Sequence, residues 1–363
     1  MDLIADRLRN QKLTGRQAAS PHEIVAWMGA MQAQDYAGAR WAIGQRVPGV
    51  TDADVQRAFD AGAILRTHVL RPTWHFVAPE DIRWILALSA PRVHAANAFV
   101  YRQTALDAGV FRKSRKVIEK ALSGGNWLTR DEIGELLGRA GVEATGLRLA
   151  ALMMHAELEA VVCSGPRRGR QFTYALLDER APRTKTPTMD EALAALVQRY
   201  YTSHGPATVR DCAWWSGLTM RQVDTGLASL GSDMAKETIG SRVWWWRSGR
   251  RSSAPAAPAA FLLPNYDEYL IAFKDRDTAV AETRLATRPH GAPDPFSHHL
   301  IVDGRLEGSW RRTVSAGTVR IEVATYRRLA RQASESVDAA SERLGKFLGL
   351  EVDLRIVRAA THT

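Results

Sequence analysis

One pair of side chains stands out by type and spacing: Gln32 and Gln34, in the stretch Trp27-Met-Gly-Ala-Met-Gln-Ala-Gln-Asp-Tyr36. A carboxamide oxygen can accept a hydrogen bond from water and can face developing positive charge. Whether the two amides cooperate depends on the backbone. In a helix interior, residues i and i+2 point about 200° apart, and the amides diverge. In an extended or turning segment they point the same way and converge on one target. The pair closes an apolar, helix-like run (Ile24, Val25, Trp27, Met28, Met31) that would serve as a rigid support. Gln-x-Gln by itself is more often a solvated helix end, so the rest of the chain must decide. Asp35 follows directly, as a supporting carboxylate or as a helix cap.

Other chemistries leave no trace. There is no phosphate-binding Gly-rich fingerprint, no His-Glu-x-x-His and no Gly-x-Ser-x-Gly. The adjacent pair His298-His299 has no spaced carboxylate or cysteine partners and reads as a loop pair, not a metal site. Two cysteines, Cys163 and Cys212, suggest neither a disulfide framework nor a cysteine zinc site, which fits a reduced cytoplasmic compartment. The chain is therefore expected either to bind only, or to run a reaction without metal or nucleotide cofactor. A formal net charge of +10 and a pI of about 9.9 point to a polyanionic partner. No apolar run approaches the roughly 20 residues that span a bilayer, and the first residues lack a signal peptide's apolar core, so no membrane association is expected.

The elements that must position these residues form a repeating outline. At 363 residues the chain has room for several modules. Helices in the first 60 residues lead to two strands, 64–69 and 73–77, the outline of a winged helix, a helix-turn-helix variant. A helical connector is expected over 79–108. The outline then returns. There is a helix at 115–122, a capping box Thr129-Arg-Asp-Glu132, a helix after Gly146, and strands at 161–164 and 172–176. The tip between those strands, Gly165-Pro-Arg-Arg-Gly-Arg170, carries Arg167, Arg168 and Arg170, either as a wing on a phosphate backbone or as a solvated turn. After a linker at 178–188, helices at 190–201, 208–215 and 219–226 precede a strand at 241–247 rich in tryptophan, and 250–259 reads as a low-complexity loop. The last part suggests strands around 300–302, 305–310 and 318–322, a hairpin turn at Asp303-Gly304, and one closing helix over 324–348. The expected fold is α+β: three tandem winged-helix modules (1–110, 111–182, 183–250) and a C-terminal β-rich module closed by a helix (260–363).

At this point several motifs in order carry a resemblance. Met31-Gln-Ala-Gln-Asp35, Arg71-Pro-Thr-Trp-His-Phe-Val77, the Arg-rich tip, Leu262-Leu-Pro-Asn-Tyr-Asp-Glu-Tyr-Leu270 and Gly308-Ser-Trp-Arg-Arg312 together resemble the AlkZ-like winged-helix DNA glycosylases, the family that includes YcaQ, over nearly the full length. The resemblance implies a concave DNA-binding surface and excision of N7-alkylated purines, bulky adducts and in some members interstrand crosslinks included. It places the catalytic Gln-aliphatic-Gln motif on Gln32 and Gln34, with Ala33 smaller than the middle residue many members carry. Two neutral amides suit that reaction. An N7-alkylpurine is already cationic and leaves neutral, so no general acid is needed. What remains is to position a water and to stabilise the sugar cation. In that frame Asp35 and His75 are candidate catalytic support, with a satisfied core histidine as the alternative for His75. Arg71, Trp74, Arg167, Arg168, Arg170, Gln171, Arg311 and Arg312 are candidate contacts to duplex DNA. Tyr266 and Asp267 read as architectural. The competing reading is a non-enzymatic winged-helix transcription regulator, which usually needs a two-fold dimer on a palindromic site. Three pseudo-repeats in one chain fit a monomer better, with no obligate protein partner.

Overall fold

The computed structural model describes residues 2–181, 183, 187–249, 259–280 and 297–358. The helix Pro21–Met28 begins at a Ser20 cap and stops at Gly29, whose φ of +80° breaks the helical path. The chain therefore enters Met31–Gln32 as a strand. It pairs antiparallel with Trp74–Val77, Met31 opposite Phe76 and Gln32 opposite His75. Leu65–His68 completes a three-stranded sheet on the other side of Trp74–Val77. The backbone question is settled in favour of the extended form.

Next come the connector helix Ile82–Gln103 and the helix Ala108–Leu122. The latter starts earlier than expected because Asp107 caps it, accepting from Val110 N at 2.8 Å. The capping box forms as read, with Thr129 N donating to Glu132 Oε2 at 2.7 Å and Glu132 N to Thr129 Oγ1 at 3.3 Å. It opens Arg130–Arg139, which is followed by Gly146–Leu158 and by the strands Val162–Ser164 and Thr173–Leu176, paired antiparallel. The helices Met189–Ser203, Val209–Ser216 and Met220–Leu230 then lead into a third hairpin, Met234–Ile239 with Arg242–Arg247. Three helical segments thus each end in an antiparallel hairpin. Of the tryptophans in the last strand, Trp244 is buried and Trp245 packs on a hydrophobic core. Positions 182 and 184–186 of the expected linker and 250–258 of the expected loop lie outside the described residues.

The C-terminal part departs from expectation in three ways. The closing helix is Arg331–Leu348, not 324–348, because residues 318–325 continue a strand. The helix does not end the fold, for Glu351–Arg358 returns as a strand parallel to Thr318–Thr325. A parallel partner requires a crossover, and the helix is that crossover. His298 and His299 sit in the strand His298–Val302, not in a loop, since the ladder pairs His299 with both Leu263 and Ser309. The five-stranded sheet runs Glu351–Arg358, Thr318–Thr325, Arg305–Ser315, His298–Val302, Ala260–Leu263. The Asp303-Gly304 turn is as expected, with φ values of +51° and +75°.

Two hydrophobic cores meet at the glutamine segment. One joins Ala30 and the first hairpin (Leu65, Val77) to the connector helix and to Leu196, Tyr200 and Trp215. The other joins Met28, Met31, Ala33 and Trp41 to Leu262, Val319, Ile321 and Phe347 of the C-terminal sheet and helix. A third fills the segment from Ile118 to Val162. Among the described residues, no helix is long and apolar enough to cross a membrane.

Candidate active site

The backbone around Ala33 is held on three sides. Ala33 N donates to Trp74 O at 2.7 Å, Arg66 Nε donates to Ala33 O at 3.0 Å, and Gln32 N donates to Glu268 Oε1 at 2.7 Å. This extended segment gives the two amides different surroundings. Gln34 is exposed, its Oε1 accepts from Trp74 N at 3.4 Å, and it lines a cavity of about 430 Å³. Arg66, Trp74, Glu157, Arg170, Gln171 and Tyr174 share that wall. Gln32 is only 9% exposed, sits deeper, and its Oε1 is buried without a protein hydrogen-bond partner.

Behind the segment lies a cluster of buried polar groups. Glu268 accepts from Gln32 N and from Trp215 Nε1 at 3.1 Å, and lies 3.4 Å from His204 Nε2. Burial alone would raise the Glu268 pKa; the neighbouring His204 ring, with the Gln32 N–H, brings it below its ordinary value. His75 is fully buried, with Nδ1 2.9 Å from Thr73 O. Burial, then the nearby Arg71 cation, push its pKa down to about 3, so the imidazole is neutral at neutral pH.

Asp35 acts as the N-cap of Tyr36–Gly44, accepting from Ala37 N at 3.1 Å and Gly38 N at 3.2 Å. The arginines separate into distinct environments. Arg170 is exposed and, with Gln171 and Trp74, joins Gln34 at the cavity. Arg167 lies over Phe172 and Tyr36, 4.6 and 5.1 Å from the ring centroids, and its main-chain N donates to Asp60 at 2.8 Å. Arg168 pairs with Glu132 at 2.7 Å, and Arg311 pairs with Glu322. The Arg71 Nε and Nη2 are buried without partners, and Arg312 is half-buried, with the Asp35 and Asp52 charges acting on it. Of the expected site residues, Gln32, Asp35 and His75 do not line the cavity, nor do Arg71, Arg167, Arg168, Arg311 and Arg312.

A family model described as "DNA glycosylase AlkZ-like" matches residues 25–347. The chain belongs to the AlkZ-like DNA glycosylases. A relative, an interstrand DNA cross-link repair glycosylase of Streptomyces sahachiroi, is 23% identical over 324 residues, covering 85% of this chain and 86% of that protein. The solved structure of Streptomyces sahachiroi DNA glycosylase AlkZ matches with a TM-score of 0.79 and 20% identity over 98% of both chains, so the fold is shared. A DNA glycosylase acts on N-glycosyl bonds in DNA, which favours the enzyme over the regulator.

Among the cavity residues of this AlkZ-like chain, Arg66, Glu157, Phe172 and Tyr174 did not emerge from the sequence reading. Glu157 left a signal that passes unnoticed in a motif search. It lies four residues after Met153 on the apolar face of Gly146–Leu158, where a lone carboxylate is out of place. Among the described residues, His94, His155 and Glu159 form the one group able to hold a metal ion, their ligand atoms lying within 4.8 Å of one another. His155 and Glu159 each stand two residues from Glu157, about 200° round the helix, and so face away from the cavity.

Proposed function

We propose that this glycosylase is monofunctional and metal-independent, and that it hydrolyses the N-glycosidic bond of N7-alkylated purines in duplex DNA to leave an abasic site. One observation carries the reading: two carboxamides, Gln32 and Gln34, flank an extended Ala33 whose backbone is held by Trp74 and Arg66, with Gln32 N held by Glu268 and Gln34 on the wall of a surface cavity. One amide holds the nucleophilic water and the other orients that water or the deoxyribose. The cationic base departs neutral, so neither a protonated acid nor a Lewis acid is required at the leaving group. Buried, neutral His75 and capping Asp35 are in keeping with such a mechanism. The cavity reaches the surface at Gln34, Arg170 and Gln171, which suits bulky adducts and crosslinks; the Streptomyces relative is described as a cross-link repair enzyme. We read the three helix-and-hairpin segments as winged helices with the boundaries given above, in a cytoplasmic monomer without an obligate protein partner. Arg170 and Gln171 are the leading phosphate or sugar contacts.

The test is single-turnover release of 7-methylguanine from a duplex, with EDTA present, by the wild type and by Gln32→Ala/Gln34→Ala. The wild type releases the base, and the double variant is slower by about 100-fold or more, the scale for losing a positioned polar group at a reacting centre. Equal rates for the two proteins would overturn the assignment of the pair.

A further inference from the structure

We infer that Glu157 is a catalytic carboxylate of the Gln34 cavity, facing the positive charge that develops on the deoxyribose as the purine departs. This rests on the glycosylase reading above. Two neutral amides can place a water, but neither carries a charge to set against an oxocarbenium-like sugar, and electrostatic stabilisation is usually the largest catalytic contribution. The carboxylate adjacent in sequence, Asp35, is engaged in capping the following helix. The cavity wall has two carboxylates of its own, Asp131 and Glu157. Asp131 is exposed in the first turn of its helix, where water screens it. Glu157 is only 1% exposed yet lines the cavity. A charge in that setting acts much more strongly than one in water.

Glu157 is also held firmly, and by the residue that holds Gln34. Its Oε2 pairs with His68 Nδ1, and its Oε1 accepts from Trp74 Nε1 at 3.4 Å. The main-chain N of the same Trp74 donates to Gln34 Oε1 at 3.4 Å. The Trp74 indole is itself immobilised, with the His68 ring 4.3 Å and the Arg66 guanidinium 4.2 Å from it. Arg66 is anchored to Ala33 O through its Nε at 3.0 Å. In the reaction the C1′–N9 bond breaks and its electron pair leaves on the purine, which becomes neutral. The water oxygen bonds to C1′ and the water proton is lost to solvent, while Glu157 stays ionised and faces the sugar.

The experiment measures single-turnover excision of 7-methylguanine, affinity for the same duplex and the thermal midpoint, for the wild type, Glu157→Gln and Glu157→Asp. A folded Glu157→Gln should lose about 30-fold or more in rate while affinity stays within about twofold, and Glu157→Asp should fall between the two. A folded Glu157→Gln at the wild-type rate overturns the inference. Should Glu157→Gln not fold because His68 is left without its partner, Glu157→Asp decides: a rate within about twofold of wild type counts against the role, and a clear loss with the duplex still bound supports it. No release by the wild type would instead overturn the substrate reading, whereas a normal Glu157→Gln beside a slow Gln32→Ala/Gln34→Ala would leave that reading standing and remove this inference alone.

Discussion

At the scale of single residues, side chains that look catalytic in sequence divide between chemistry and construction. Asp35 and Gln34 are neighbours, yet the first binds helix amides and the second lines the cavity. Since Asn caps a helix about as well as Asp, Asp35→Asn should keep stability within about 0.5 kcal/mol and retain excision, while Asp35→Ala should cost about 1 kcal/mol. Urea denaturation beside an excision assay checks both, and a large rate loss in a fully stable Asp35→Asn would restore a catalytic role to this carboxylate. His75 makes a prediction in pH. Its folded pKa of about 3 lies below the ordinary histidine value, so at intermediate pH the unfolded chain binds a proton that the folded chain does not. Stability should therefore be flat above neutrality and fall as pH drops from about 6.5 towards 3, by up to about 1.4 kcal/mol per pH unit from this group. Comparing urea midpoints of wild type and His75→Gln between neutral and mildly acid pH isolates its share, and parallel curves would show that another group governs the loss.

At the scale of elements, the decisive event is the end of the helix Pro21–Met28 at Gly29. A Cβ there would meet Arg199 Cγ at 3.0 Å, in a backbone region that L residues rarely adopt. Gly29→Ala should destabilise the fold by about 1–2 kcal/mol and slow excision as well, because it disturbs the entry to the glutamine strand. Thermal midpoints and single-turnover rates measure the two effects, and an unchanged rate would show that the strand tolerates the shift. The C-terminal sheet illustrates a signal that was present and overlooked. Val352, Leu354 and Ile356 alternate with Glu351, Asp353 and Arg355, the period of a half-buried strand, and they pair with Thr318–Thr325. The closing helix begins later than its composition suggests, because Ala324 and Thr325 finish the strand and 326–330 form an irregular connection before Arg331.

At the scale of the whole molecule, distant segments are locked together by buried charge. Arg46 and Asp267 form a fully buried two-pronged pair, with contacts of 2.8 and 2.7 Å, that ties the first helices to the motif after the Ala260–Leu263 strand. Asp267→Ala leaves a guanidinium buried without its counter-charge and should cost about 3–5 kcal/mol, measured by chemical denaturation. A loss under 1 kcal/mol would mean that water or Gln11 compensates, on the scale of an ordinary surface pair. The architectural reading of Asp267 follows the same line. The net charge of +10 should appear as salt-dependent binding, and Arg170→Ala should weaken affinity and lower the salt slope by about one. Affinity measured across a salt series checks it, and an unchanged slope would remove Arg170 from the phosphate contacts.

The sequence by itself determined what depends on a few neighbouring residues: the capping box at Thr129, the Asp303-Gly304 turn, and the order of the helices with the first two hairpins, together with the resemblance that names the family. Only the tertiary structure decided which polar groups meet. Gln32 N finds Glu268 from the far end of the chain, Trp74 bridges Gln34 and Glu157, and Arg168, read as a free wing residue, is paired with Glu132. The reason is physical. Turns and caps are set by backbone geometry within one or two turns of chain, and that geometry is written in local residue types. Partners across elements are chosen by packing of apolar faces, which brings polar groups together without any local pattern to announce it.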